Sequence, residues 1–273
     1  ASSISQIMIN NNLLEKYLPD NCNVEWVEMS SASDIRDALA SGSIDIATPA
    51  LTSYISAYEN NMPIDLISNY GSAQVYCYAV NGIDRIDDFD IDDSIAVKGL
   101  NTNPHIAFLA YCKENALDVD KYDKMLTKIP ETETLALLET SDQISGAILS
   151  YPVNKKADEI KNCKMIADFS DTIKEYNLGT VVCVNKSFNE SNKDIVEGFE
   201  KAHKYIVDSW QTDLDSYALI LSKQYSCSKE EIKSVMIDMP PKLEITGYDK
   251  LANLMYEAKM LNAKPTPFND VSK

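Results

Sequence analysis

The chain has 273 residues, 45% hydrophobic and 25% charged, with 42 acidic against 25 basic side chains and a formal net charge of −17. That length buries a sizeable core as one large or two medium domains, and the acidic balance argues against nucleic acid or an anionic membrane as a partner. A small anionic ligand stays compatible with it, because bulk charge is screened beyond about 8–10 Å at physiological salt. No run of about 18 apolar residues exists, so no membrane span is expected. No signal segment opens the chain either, which says nothing about a protein from which one has been removed.

Residues 2–18 are predicted as one helix, with Ile4, Ile7, Met8, Leu14, Tyr17 and Leu18 on its apolar face and Pro19 as its stop. Residues 24–29, VEWVEM, alternate as a strand does, with Trp26 packed beside a sheet or stacked on a ligand. Ser30 to Ser33 then cap a helix over DIRDALASG, burying Ile35, Ala38 and Leu39 and ending at Gly42. A strand over 44–47 runs into Thr48-Pro49 and a helix over 51–60, and 64–68 is the next strand. This βαβαβ rhythm implies a parallel sheet with helices on its faces.

Residues 74–80, QVYCYAV, form a longer strand, and the acidic stretch 82–93 reads as a solvated connection. At 94–115 an apolar strand (Ile95, Ala96, Val97) stops at Gly99, and a polar turn of Leu100, Asn101, Thr102 and Asn103 follows. Pro104 then opens a helix, with Asn103 as a candidate cap. Helix N-termini attract polar or anionic groups, and ligands of open α/β sheets sit beyond the carboxyl ends of strands. Strands over 125–129 and 144–150 flank a helix over 131–139, Ser150-Tyr151-Pro152 leads into a helix reaching 160, and 164–167 closes the set. A long strand over 177–185 precedes a helical C-terminal part: 193–210, 214–225, 229–237 and 248–261.

Two α/β units joined by two long strands predict a nested chain. Residues 1–75 plus 185–273 make a discontinuous first lobe, and residues 76–184 make the second. Such lobes suit closure around a solute in a cleft. The six cysteines (Cys22, Cys77, Cys112, Cys163, Cys183, Cys227) show no C-x-x-C pair, so metal ligation is not expected and buried thiols are. Cys77 and Cys183 fall mid-way along the two hinge strands. If those strands are neighbours, a disulfide is an alternative to reduced thiols.

The run VEWVEMSSASDIRDALASGSIDIATPALTSYISAYENNMPIDLIS, the stretch IDDFDIDDSIAVKG, the LSYP turn and YNLGTVVCVNKSF resemble the solute-binding proteins of ABC importers. The resemblance is to the group handling aliphatic sulfonates, taurine, nitrate and thiamine-pyrimidine precursors. It implies a two-lobed type II periplasmic-binding-protein fold, each lobe a mostly parallel α/β sheet flanked by helices, with two hinge strands. It further implies a non-catalytic monomer that needs no cofactor, captures a small-molecule solute and delivers it to a membrane permease. Its place would be extracytoplasmic, periplasmic or lipid-anchored on the outer face of the membrane. Alternatives are an enzyme on the same scaffold, such as a menaquinone-pathway-like lyase, and a ligand-sensing module. The group's first strand has no counterpart before residue 2, so it is expected upstream or not at all, leaving the first sheet an open edge. The group's Gly-Ser/Thr turn is replaced by Gly99-Leu100-Asn101-Thr102-Asn103.

Five segments are then expected to face the cleft: Ser2 and Ser3; Thr48, Pro49 and Leu51; Asn101, Thr102 and Asn103; Ser150 and Tyr151; Tyr176 and Asn177. Each also has a plain structural role open to it, as a cap, a frayed end or a core residue. Hydroxyls and amides suit oxygen-rich groups, and tyrosine rings suit a flat ligand. The two arginines, Arg36 and Arg85, lie outside these turns, so sulfonate and neutral or aromatic ligands remain comparable readings. Lys98 reads as solvated or inward-pointing, and His105 as exposed, a cap or a cleft residue.

Overall fold

The computed structural model describes residues 2–29, 31–72 and 74–271, with Ala32 described by its backbone alone. Ser2 caps α1 (Ser3–Asn10), its Oγ accepting from the Ser5 N–H at 3.2 Å. The single helix expected over 2–18 is two helices. The Asn10-Asn11-Asn12 run interrupts it, Asn12 turns left-handed at φ 47°, and α2 (Leu13–Tyr17) starts afresh. Asparagine competes poorly inside a helix and tolerates that conformation. The strand expected over 24–29 does not form: the segment joins no ladder among the described residues, and Trp26 and Val27 are 39% and 53% exposed. Alternation supplies two faces, yet a strand also needs a partner for its N–H and C=O groups.

Ser31 caps α3 (Ala32–Ser41) by accepting from Asp34 N–H at 3.1 Å, and left-handed Gly42 closes it. Ser30, expected in that cap, lies outside the described residues. Leu39 is buried, while Ile35 and Ala38 are half-buried. Then follow β1 (Ile46–Ala47), α4 (Leu51–Glu59), β2 (Ile64–Ser72) and β3 (Val75–Ala79). The acidic stretch 82–93 is more than a solvated link, because its 3-10 turn Ile86–Asp88 carries Ile86 and Phe89 into the interior. Next come β4 (Ile95–Val97), α5 (Asn103–Glu114), α6 (Val119–Lys124), β5 (Leu126–Lys128), α7 (Glu131–Thr140) and β6 (Gly146–Ser150). They are followed by α8 (Asn154–Ala157), β7 (Lys164–Asp168), α9 (Ser170–Tyr176) and β8 (Gly179–Asn185). The chain ends with α10 (Lys186–Ser191), α11 (Lys193–Ser209), α12 (Leu214–Tyr225), α13 (Lys229–Asp238), α14 (Tyr248–Glu257) and α15 (Phe268–Val271). The helix expected from Tyr151 to 160 shrinks to α8, and α6, α9, α10 and α15 were not expected.

The chain clusters into two units. The first holds residues through Ser72, Gly179–Ile245 and residues from Pro265 onward; the second holds the residues between Ser72 and Gly179 together with Thr246–Lys264. In unit 1 the sheet order is β1-β8-β2, with β8 antiparallel to both neighbours. In unit 2 the order is β5-β4-β6-β3-β7, and β3 alone runs against the other four. The direction follows from the connections. Strands linked through helices inside a unit run parallel, whereas β3 and β8 each arrive straight from the other unit. Both sheets carry helices, which bury residues such as Ile7, Leu51 and Val182 in unit 1 and Ala96, Phe108 and Leu149 in unit 2.

β3 and β8 are not neighbours. β3 lies between β6 and β7, and β8 between β1 and β2, so Cys77 and Cys183 sit in different sheets and all six cysteines are free. Burial pushes the Cys77 thiol up, and that of Cys183 and of Cys112 to about 12. The two crossings meet at one rung of unit 1, where Ser72 is the register partner of Gly179. A Cβ on Gly179 would lie 2.2 Å from the Gly71 carbonyl oxygen and 3.2 Å from Ser72 Cα.

Two outcomes follow. Gly179→Ala forces backbone apart rather than a side chain, so it should cost about 2–3 kcal/mol and lower the melting temperature in calorimetry by several degrees. Iodoacetamide should alkylate at most Cys22, Cys163 and Cys227 in the native protein and all six cysteines in denaturant, read by mass spectrometry, with no mass change on reduction.

Candidate functional site

In unit 2, β4 and β6 are parallel with Val97 opposite Ile148, so the turns that follow them leave the sheet at one edge. The turn after β5 joins them there, since Ile129 N–H donates to Val97 O at 3.0 Å. β3 enters at the same edge, where Tyr151 N–H donates to Gln74 O at 3.0 Å. The structure therefore brings Asn101, Thr102 and Asn103 to the same edge as Ser150 and Tyr151. Thr102 occupies the cap position of α5, but its hydroxyl donates to Gly99 O at 2.6 Å and leaves the first turn without a side-chain cap. Asn101 is exposed and left-handed at φ 60°, and its side-chain amide makes no hydrogen bond among the described residues. Ser150 is buried, and its hydroxyl likewise has no partner there. Lys98 Nζ lies 3.9 Å from Glu131 Oε1, so the cation next to the turn is balanced.

His105 is buried under this turn rather than directed outward as a cleft residue. Its Nδ1 accepts from Asn101 N–H at 2.8 Å, and its Nε2 lies 2.8 Å from Asp123 Oδ1.

In unit 1 the equivalent edge is where β1 and β2 end. Pro49 O accepts from Val181 N–H at 2.9 Å, and Ala50 bridges Thr180, the register partner of Gly71. Thr48 is half-buried with a hydroxyl that makes no hydrogen bond among the described residues, while Leu51 is sealed in the core. The start of α1 reaches this end of the sheet through Ser5, whose Oγ lies 3.0 Å from both Ser2 Oγ and Tyr70 OH. Ser3 Oγ lies 3.2 Å from Tyr225 OH.

Tyr176 and Asn177 occupy a third place, the C-terminal end of α9. Lys250 Nζ sits over the Tyr176 ring at 4.2 Å and donates to Glu114 Oε1 at 2.9 Å and to Glu175. That hydrogen bond holds the Glu175 carboxyl below its ordinary range. Gly247, at φ +69°, lets α14 approach so closely that a Cβ would lie 2.4 Å from Glu175 O. Asn177 is left-handed at φ 49°, and its buried Nδ2 has no hydrogen-bond partner among the described residues. Sequence reasoning missed Gln74, a buried polar residue at the head of an apolar strand, whose Oε1 accepts from Tyr76 OH at 2.7 Å. It also missed Asp123 and Lys250, which no local pattern singles out.

Unit 1 holds a separate cavity of about 440 Å³ lined by Ile67, Ser68, Leu243 and the α11 residues Glu197, Lys201 and His203. The β2 ladder is irregular between Leu66 and Ser68 and again between Asn69 and Gly71. Such bulges place consecutive side chains beside one another. His203 is fully buried, with Nδ1 3.3 Å from Ser68 Oγ and its ring 4.9 Å from that of Tyr70. Burial pushes its imidazole down to about 4.

Two helix-flanked sheets, antiparallel in unit 1 and mixed in unit 2, each with one strand arriving directly from the other unit, make this the periplasmic binding protein fold. The structure is similar to the periplasmic aliphatic sulphonate-binding protein SsuA of Escherichia coli, with a TM-score of 0.77 at 16% identity over 96% of this chain and 91% of that one. It is also similar to the alkanesulfonate-binding protein SsuA of Xanthomonas axonopodis pv. citri bound to MOPS, with a TM-score of 0.75 at 13% identity over 97% and 92%. A ligand-binding component of an ABC-type import system from Staphylococcus aureus, with zinc bound, gives a TM-score of 0.78 at 16% identity over 99% and 92%. No protein-family model and no curated protein matches the sequence.

His203 sets a pH dependence. Its folded value of about 4 lies below its ordinary 6.5, so the unfolded chain takes up the proton first. Its contribution is whole above pH 6.5 and is lost as pH falls from 6.5 toward 4, by at most about 3 kcal/mol. Urea titrations at pH 7 and pH 5 should show this loss in the wild type and less of it in His203→Gln; parallel losses in both proteins would refute the assignment.

Proposed function

We propose that the protein is the solute-binding component of an ABC importer, acting outside the cytoplasm and handing a small organic or anionic solute to a membrane permease. The observation that carries this reading is the end of the unit 2 sheet, where the Asn101 side-chain amide and the Ser150 hydroxyl make no hydrogen bond among the described residues and the first turn of α5 has no side-chain cap. A buried polar group left unpaired is costly, and a ligand that pairs the Ser150 hydroxyl would recover that free energy. The likeness to sulfonate-binding and import-system proteins supports the same reading.

The solute class follows from the donors. Arg36 pairs with Asp37 and Arg85 with Asp87, both exposed, and Lys98 is balanced by Glu131. Recognition would rest on neutral hydroxyls, amides and the uncapped first turn of α5, which serve a sulfonate oxygen, a nitrate or an aminopyrimidine without a guanidinium.

A thermal-shift screen with ethanesulfonate, taurine, nitrate and an aminopyrimidine tests this reading, since a ligand of the native state raises the melting temperature by mass action. At least one probe should stabilise the protein and be recovered unaltered after long incubation; conversion to product would mark an enzyme instead. With that probe, Asn101→Ala and Ser150→Ala should each weaken affinity about tenfold in calorimetric titration, one hydrogen bond's worth, with melting temperatures in the absence of probe unchanged.

A further inference from the structure

The turn between β4 and α5 is held by two hydrogen bonds of different kinds. Thr102 Oγ1 donates to Gly99 O at 2.6 Å, and the backbone N–H of left-handed Asn101 donates to His105 Nδ1 at 2.8 Å. A ring nitrogen that accepts from an N–H carries no proton of its own, so the proton of the neutral imidazole lies on Nε2. Nε2 is 2.8 Å from Asp123 Oδ1, a carboxylate that can only accept when ionised. His105 is 3% exposed, whereas the Asp123 side chain on α6 is 48% exposed.

We propose that Asp123 is a positioning residue for solute binding: by accepting from Nε2 it selects the imidazole tautomer able to receive the Asn101 N–H, and so fixes the turn that presents Asn101, Thr102 and Asn103. The inference rests on the solute-binding reading of that turn. Asp123 itself need not touch solute, because its effect passes through one buried ring whose two nitrogens have opposite roles. Second-tier carboxylates commonly set histidine tautomers in this manner.

The test is Asp123→Asn, whose amide can present an N–H to Nε2 and move the ring proton to Nδ1, where it would face the Asn101 N–H donor to donor. Long-range ¹H–¹⁵N spectra of the imidazole should show Nδ1 unprotonated in the wild type and gaining a proton in D123N. Affinity for whichever of ethanesulfonate, taurine, nitrate and the aminopyrimidine stabilises the wild type most should fall about tenfold in D123N, and Asp123→Glu, which keeps an acceptor, should recover most of it. A protonated Nδ1 in the wild type overturns the inference without any variant. So does a D123N protein whose tautomer changes while its affinity does not, or whose affinity falls while its tautomer stays; both leave solute binding standing. A wild type that binds none of the four probes overturns the functional reading and this inference with it.

Discussion

The close approach of Gly179 to the Gly71–Ser72 backbone is the constraint on which the rest of the architecture depends. β2 and β8 form a ladder that ends on this rung, and the chain leaves unit 1 after one partner and re-enters at the other. Because the rung holds both crossings at one end of the sheet, β1 and β2 deliver their carboxyl ends there as well, with Thr48, Pro49 and the Tyr70–Ser5 pair. The same logic shapes unit 2. β3 enters antiparallel at the edge where β4 and β6 finish, which sets Gln74 beside Tyr151 and Ser150 beside Val75. The missing side chain at Gly179 lets the two strands close on this rung, beside which the polar turns of unit 1 gather.

Those turns combine rigidity with unpaired polarity. The 99–103 turn is fixed from below by a buried imidazole and from within by a threonine hydroxyl, yet its asparagine amide and the first turn of α5 are left without a side-chain partner. Rigid donors lose little entropy when they meet a ligand, so an affinity built from neutral groups need not be weak. The cation next to the turn is balanced, since Lys98 faces Glu131. Selectivity in this protein would come from hydrogen-bond geometry more than from net charge.

Much of this was legible in the sequence where local and global signals agreed. β3, β4 and α5 appear close to their expected bounds because β-formers, a glycine stop and an N-terminal proline all point the same way. Residues 24–29 show the limit of that reasoning, since VEWVEM has the alternation of a strand and no ladder to join. Helices of four to seven residues, α6 and α9 among them, span too few turns for a 3.6-residue period to show. Strand order was enough to place the 101–103 and 150–151 turns at one end of a sheet, but not to find Asp123 beside His105. It is 18 positions from His105 and meets it only through the packing of α6 on α5. The break in the first helix falls at three consecutive asparagines, which the apolar spacing on either side does not register.

The order in which the chain is threaded bears on how it is made. β8 is the central strand of the three-stranded sheet, yet it is the last strand synthesised, and the five-stranded unit keeps Gly247 and Lys250 for a helix near the end of the chain. On the ribosome, β1 and β2 would emerge with no strand between them, their inner edges waiting through more than one hundred residues for Gly179–Asn185. In both units, strands far apart in sequence are paired. Both depend on pairings of long sequence separation, which slow folding and expose nascent edges to chaperones.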